Sequence, residues 1–92
     1  MPLVAFQFRC VGKVQGVFYR ASTKQQADLL GIKGWVRNET NGDVSVHAEG
    51  EEQTVMKLYQ WCLQGPPLAR VQEVIKSATT LENFDRFEVR YF

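Results

Sequence analysis

The stretch GKVQGVFYR, residues 12–20, joins two segments whose hydrophobic patterns differ. Before it, from Leu3 to Val11, apolar residues alternate with polar ones, which is typical of a strand with one buried face. After it, residues 21–30 have the apolar spacing of a helix. A turn that contains Gly12 and Gly16 therefore connects a strand to the start of a helix.

This turn has several features of an anion-binding site. Such a turn exposes backbone N–H groups in one direction, and the helix N-terminus adds a positive partial charge. Arg20, at its end, has a planar guanidinium that matches phosphate or carboxylate oxygens. Many strand-to-helix turns with a glycine bind nothing, so the residues alone leave both interpretations open. The spacing fits neither a Walker loop nor a dinucleotide-binding loop.

Length and composition predict one small globular domain over residues 1–92. Hydrophobic residues make up 45% of the chain, and six Phe, three Tyr and two Trp favour a core that needs no metal or disulfide. The net charge of +1 gives no indication of nucleic-acid or membrane binding. No apolar stretch approaches the roughly 20 residues of a membrane span, and the N-terminus does not resemble a signal peptide. We expect a cytoplasmic monomer.

The cysteines and the single histidine are predicted to have structural roles. Cys10 lies on the apolar side of the first strand and Cys62 on the apolar stripe of a later helix, so both are expected to be buried and unpaired. Alternation places His47 opposite Val46 and Ala48, which predicts a half-exposed histidine on the sheet.

The remaining chain shows the periodicity of two helices and several strands. The prediction is a strand over residues 32–40, a hairpin turn at 40–43, a strand over 44–49, a helix between Gly50 and Gly65, a strand over 70–78, a turn at 79–83 and a strand over 87–91. Two helices on so small a sheet share one core only if both pack on one face. The predicted fold is therefore α+β: a ferredoxin-like βαββαβ sandwich with a mainly antiparallel sheet and a short extra C-terminal strand.

A second stretch, GWVRN at residues 34–38, ends on a polar residue of the core-facing side. Alternation puts Val36 and Asn38 on one face and Trp35 and Arg37 on the other. An amide at the rim of a core normally needs a partner. From the residues alone, a capping or turn asparagine is the favoured interpretation, because the Asn41-Gly42 hairpin is close by.

Taken together, the two stretches resemble the two signature motifs of the acylphosphatase family. The separation between them, the following Asn41-Gly42, the chain length, the element order and the ending at residues 87–91 resemble that family as well. The resemblance covers nearly the whole chain.

The resemblance implies hydrolysis of the carboxyl–phosphate bond of a small acyl phosphate, giving a carboxylate and inorganic phosphate, with no metal and no cofactor. It implies that Arg20 and Asn38 are catalytic and that Asn38 orients the attacking water. It implies a phosphate, or a similar anion, bound by the Arg20 side chain and by the backbone N–H groups of Gln15, Gly16, Val17, Phe18, Tyr19 and Arg20.

Two alternative functions remain open at this stage. RNA-binding domains of the RRM type have the same element order, but they stack bases on aromatic residues, and the strand at 44–49 contains no Phe or Tyr. The domain could also bind phosphate without hydrolysing anything, as a regulatory domain does.

Overall fold

The computed structural model describes residues 2–91, so the ends of the predicted domain, residues 1 and 92, lie outside the described part. Five strands and two helices follow one another in the predicted order: β1 Leu3–Lys13, α1 Tyr19–Leu30, β2 Lys33–Asn38, β3 Val44–Glu51, α2 Glu52–Gln64, β4 Arg70–Thr79 and β5 Phe87–Arg90.

The strands form one sheet in the order β4-β1-β3-β2-β5. All neighbours are antiparallel except β2 and β5, which are parallel. The extra strand β5 therefore ends beside the end of β2, with Arg90 opposite Arg37. The α+β, ferredoxin-like prediction is confirmed.

Both helices bury one stripe of side chains in a single core. In α1 the buried residues are Tyr19, Thr23 and Ala27, and in α2 they are Val55, Leu58 and Cys62. The core-facing side of β3 provides Val44, Val46 and Ala48, all fully buried. The helices contact each other as well as the sheet, so they cover one face together, as predicted.

Seven predicted boundaries were wrong by one or two residues. Four of them are the end of β1 at residue 13, the start of β2 at residue 33, the end of β4 at residue 79 and the end of β5 at residue 90. The other three have local causes. Helix α1 begins at Tyr19 rather than at residue 21, because Phe18 already forms its N-cap. Strand β2 ends at Asn38 rather than at residue 40, because the Glu39 and Asp43 backbones bond to each other and start the predicted hairpin turn. Strand β3 continues through Gly50 to Glu51 because it stays paired with β1.

Cys10 and Cys62 are buried and free, as predicted. A hydrogen bond with Cys10, together with burial, raises the pKa of the Cys62 thiol. Because the thiolate is the reactive form, a raised pKa makes this cysteine unreactive. Cys62 therefore serves as a small core side chain, and Cys10 is likewise fully buried in the core.

The predicted half-exposure of His47 was wrong, because the side chain is fully buried. Alternation correctly put it on the outer face of β3, but residues 80–86 fold back across that face. The His47 ring stacks on Trp35, with centroids 5.8 Å apart, and meets the edge of Phe84 at 5.4 Å. The Glu49 carboxylate accepts a bond from His47 Nε2 at 2.9 Å and further bonds from the N–H groups of Glu82 and Phe84.

Candidate active site

The loop between β1 and α1 is held to the core by two buried valines. Val14 and Val17 are buried, whereas Gly16 and Phe18 are exposed. The chain reverses because Gly16 and Phe18 both have left-handed backbone angles, with φ of 74° and 65°. Glycine adopts this conformation at little cost, but for phenylalanine it is strained.

The backbone N–H groups of this loop are available for a ligand. Within residues 2–91, those from Gln15 to Arg20 have no hydrogen-bond partner, and no side chain caps α1. The first bond of the helix runs from the Ser22 N–H to the Phe18 carbonyl. Unpaired donors at a helix N-terminus, with the helix dipole behind them, favour an anion.

The Gln15 side chain fixes the loop to the hairpin between β2 and β3. Its Nε2 donates to the carbonyl oxygens of Glu39 at 2.8 Å and Asp43 at 2.9 Å. These two bonds use both amide hydrogens. Only the backbone N–H of Gln15 is therefore available for the predicted binding of phosphate.

Arg20 is positioned by the end of β5. Its Nη1 donates to the Arg90 carbonyl at 3.2 Å, and its Cζ lies 4.8 Å from the centroid of the Tyr91 ring. The guanidinium is thus held from one side while other donors remain, since it has five N–H groups.

Tyr19 contributes only its backbone to the loop. Its side chain is in the core, where the hydroxyl donates to the Cys62 carbonyl at 2.7 Å. Burial, together with the neighbouring Cys62 and Cys10, raises the pKa of Tyr19 above its usual range. The phenol therefore stays protonated and remains a donor that anchors the start of α1.

Asn38, the last residue of β2, pairs with Val44 of β3 and therefore lies on the same side of the sheet as Val36, as predicted. Its Oδ1 is buried and has no hydrogen-bond partner within residues 2–91. Buried amide oxygens are normally paired, so an unpaired one needs an explanation. Capping of the hairpin turn does not explain it, because no described backbone group of the hairpin donates to this oxygen.

These groups meet in one open cavity of about 300 Å³. Its walls are Val14, the exposed part of the loop, the first turn of α1, Asn38, Val89 and Tyr91. Arg20 is the one charged side chain among the described lining residues. Among the described lining residues, the cavity therefore combines free N–H donors, one cation and a free amide acceptor, and none of these residues has a carboxylate side chain that would repel an anion.

Within residues 2–91, no group of three or more His, Cys, Asp or Glu side chains is arranged to hold a metal ion. Neither described helix is long and apolar enough to cross a membrane.

A family model described as Acylphosphatase matches residues 6–89. The chain belongs to the acylphosphatase family. Acylphosphatases hydrolyse the carboxyl–phosphate bond of acyl phosphates, so the predicted family and enzyme class are confirmed.

Similar proteins agree over nearly the full length. An acylphosphatase of Synechococcus sp. (strain RCC307) is 47% identical over 90 residues, which are 98% of this chain and 77% of that protein. The structure of an acylphosphatase from Coxiella burnetii aligns with a TM-score of 0.92 at 39% identity, over 96% of this chain and 93% of that one. The Bacillus subtilis acylphosphatase aligns with a TM-score of 0.93 at 30% identity, over 98% and 100%.

Sequence reasoning singled out Arg20, Asn38 and the loop at residues 15–20. The structure brings Gly16, Phe18, Tyr19, Arg20 and Asn38 together at one cavity, whereas Gln15 and Val17 do not line it. Sequence reasoning missed Val89, Tyr91 and the Arg90 carbonyl, which line the cavity or hold Arg20. Alternation identified β5 as a strand, but only its parallel pairing with β2 brings its end next to Asn38.

Proposed function

We propose that this chain hydrolyses small acyl phosphates in the cavity, using its own backbone donors, Arg20 and Asn38. The observation that carries the proposal is the coincidence of unpaired N–H groups, a cation and an unpaired amide oxygen in one cavity. The N–H groups and the cation can bind a phosphoryl group, and the amide oxygen can bind an attacking water.

The phosphoryl group binds to the N–H groups of Gln15 to Arg20 and to the free side of the Arg20 guanidinium. Phosphoryl transfer spreads charge over the three equatorial oxygens, so catalysis depends chiefly on positioning and on charge stabilisation. Fixed N–H donors and a held arginine supply both without rearrangement during the reaction. The contacts of Arg20 with Arg90 and Tyr91 support this role because they fix the guanidinium before the substrate binds.

Asn38 binds the attacking water through Oδ1, which has no hydrogen-bond partner among residues 2–91. The water oxygen forms a bond to phosphorus, and the bond from phosphorus to the carboxyl oxygen breaks. The electron pair leaves on the carboxylate, and the proton of the water passes to a phosphate oxygen or to solvent. A carboxylate is a good leaving group, so no general acid is required, which agrees with a cavity that lacks His, Asp and Glu side chains among its described lining residues.

The test is release of inorganic phosphate from benzoyl phosphate by purified protein. We expect the same rate with and without a metal chelator, and competitive inhibition by inorganic phosphate, because product and substrate share the loop. No turnover above the buffer rate would overturn the proposal. Phosphate binding without turnover would indicate a phosphate-binding domain instead.

The RNA-binding alternative is disfavoured by the outer face of the sheet. In that alternative, bases stack on exposed aromatic side chains of the central strands. On β3 of this chain the outward residue at the centre is His47, which is buried under Phe84.

A further inference from the structure

Two strongly exposed aromatic side chains lie at the mouth of the cavity. Phe18 is 74% exposed and Tyr91 is 75% exposed, and both line the cavity that contains Arg20 and Asn38. Phe18 sits there although its left-handed backbone is strained for phenylalanine. Because both side chains line a cavity, they are available for contact with a ligand bound there, since binding cavities are lined chiefly by apolar and aromatic side chains.

The rest of the cavity beyond the phosphate loop is apolar and carries no second cation among the described residues. Its further lining side chains there are Val14, Ala21 and Val89. Two cations of the neighbouring elements α1 and β5 have other partners. Lys24 bonds to Asp28 and to the Phe87 carbonyl, and the Arg90 guanidinium packs over Trp35 and Phe84 on the outer face.

We propose that Phe18 and Tyr91 bind the acyl group, so that the chain selects small acyl phosphates with a flat, apolar and uncharged acyl group. This inference rests on the proposed function, because it takes the phosphoryl group to be bound by the loop. The cavity volume of about 300 Å³ is at the lower end for ligand sites, which suits a single ring better than a nucleotide-sized group.

Each part of this selectivity has a physical cause. An aromatic acyl group gains contact area with both rings and an offset or edge-to-face arrangement with them. A short aliphatic group such as acetyl reaches little of this surface. A second negative charge on the acyl group would leave water for an apolar wall without a cation, which is unfavourable.

The first experiment compares kcat/KM for acetyl, benzoyl, 4-methylbenzoyl and 4-carboxybenzoyl phosphate. The last two have similar size and differ in charge. We expect 4-methylbenzoyl phosphate to be preferred over 4-carboxybenzoyl phosphate by about tenfold, a difference typical of one changed group in an apolar pocket.

The second experiment measures the benzoyl-to-acetyl ratio of kcat/KM in variants, which cancels the intrinsic reactivity of the two compounds. Phe18→Ala should lower this ratio about tenfold, and Phe18→Trp, which keeps an aromatic ring, should restore most of it. Leu29→Ala is the matched control, because Leu29 in α1 is as exposed as Phe18 but does not line the cavity. Its ratio should equal that of the wild type.

Two substitutions of Tyr91 distinguish its contact with the acyl group from its support of Arg20. Tyr91→Phe should keep the ratio and the inhibition constant of phosphate. Tyr91→Ala should lower the ratio and also weaken phosphate inhibition, because the ring over Arg20 is lost.

An unchanged ratio in Phe18→Ala and Tyr91→Ala, with normal turnover of both compounds, would overturn this inference and leave the proposed function intact. Equal use of the methyl and carboxylate compounds would overturn the charge selectivity. No turnover of any compound by the wild type would overturn the proposed function and this inference with it.

Discussion

The cavity and the outer face of the sheet both contain buried or half-buried polar groups, but these groups are used differently. On the outer face, the Glu49 carboxylate accepts three hydrogen bonds, from His47 and from the backbone of residues 82 and 84. In the cavity, the N–H groups of residues 15–20 and the Asn38 oxygen have no partner within residues 2–91. Paired polar groups hold the fold together, whereas unpaired ones are available to a ligand.

From this comparison we expect opposite effects of substitutions on activity and stability in the two regions. Substitutions in the cavity should impair activity and leave stability nearly unchanged. Substitutions on the outer face should lower stability and leave the activity of the folded protein nearly unchanged. In the described part of the chain, His47 Nδ1 is the exception on the outer face, because it is buried without a hydrogen-bond partner.

The largest effect is expected for Asn38→Ala in the cavity. If Asn38 holds the water and not the phosphate, kcat should fall by about 10²-fold or more, the scale of a lost positioning group. Phosphate affinity should stay near that of the wild type. Steady-state kinetics and calorimetric titration with phosphate measure the two quantities. Lost phosphate binding with kcat retained at saturating substrate would mean that the assigned role is wrong.

Arg20→Ala should reduce both binding and chemistry, because the guanidinium contacts phosphate before and during the reaction. The loss of one charge-assisted hydrogen bond costs about 1.5–3 kcal/mol, so phosphate should bind roughly 10- to 100-fold more weakly. Arg20→Lys should recover only a part, since lysine has no planar fork to bond Arg90 and the ligand together. Full recovery by lysine would show that charge alone matters.

On the outer face, Glu49→Gln should lower the free energy of unfolding at neutral pH by about 1.5–3 kcal/mol. The amide turns one acceptor into a donor that faces the backbone donors of Glu82 and Phe84. Denaturant unfolding measures this change, and kcat/KM of the folded variant should match the wild type. Glu51→Gln, at an exposed position of the same strand, is the control and should change stability by less than about 0.5 kcal/mol.

We also predict how the effect of Glu49→Gln on stability depends on pH. Burial acts to raise the pKa of Glu49, but the hydrogen bonds from Glu82, His47 and Phe84 outweigh it, and the net pKa is lowered. Because the folded value lies below the unfolded one of about 4.3, the stabilisation is complete above that pH and is lost as the pH falls through the folded value. The stability difference between wild type and Glu49→Gln should therefore narrow in acid. A constant difference down to pH 2 would contradict this explanation.

The smallest effect is expected for Cys62→Ala, which touches neither polar region directly. Removing one buried heavy atom should cost about 0.5–1.5 kcal/mol, with activity kept. A reductant should leave the melting temperature of the wild type unchanged, because both cysteines are free. A large drop on reduction would indicate a disulfide.

The fold was predictable because most of its elements depend on local patterns. Alternation identified the strands, and the stripes of α1 and α2 identified one common core. The burial of His47 was not predictable in this way. It depends on residues 80–86, which have no periodicity and lie more than 30 positions away along the chain.

In the candidate site, too, some residues were predictable from local motifs and others were not. Gly16, Arg20 and Asn38 lie in compact motifs, so the resemblance indicated them. Tyr91 and the Arg90 carbonyl belong to the site only through the pairing of β5 with β2, which no local pattern encodes. The acyl-binding role proposed for Phe18 also required knowing that Tyr91 lies at the same cavity.

The bond from Arg20 to the Arg90 carbonyl joins residues 70 positions apart. Contacts of such long sequence separation form late when loop closure limits folding. The guanidinium is therefore unsupported until the last strand has docked beside β2, even if the first motif is already in place. During refolding, enzymatic activity should return together with the slowest step of assembly, after the helices have regained their circular dichroism. In this chain, the recovery of enzymatic activity should therefore report when the sheet is complete.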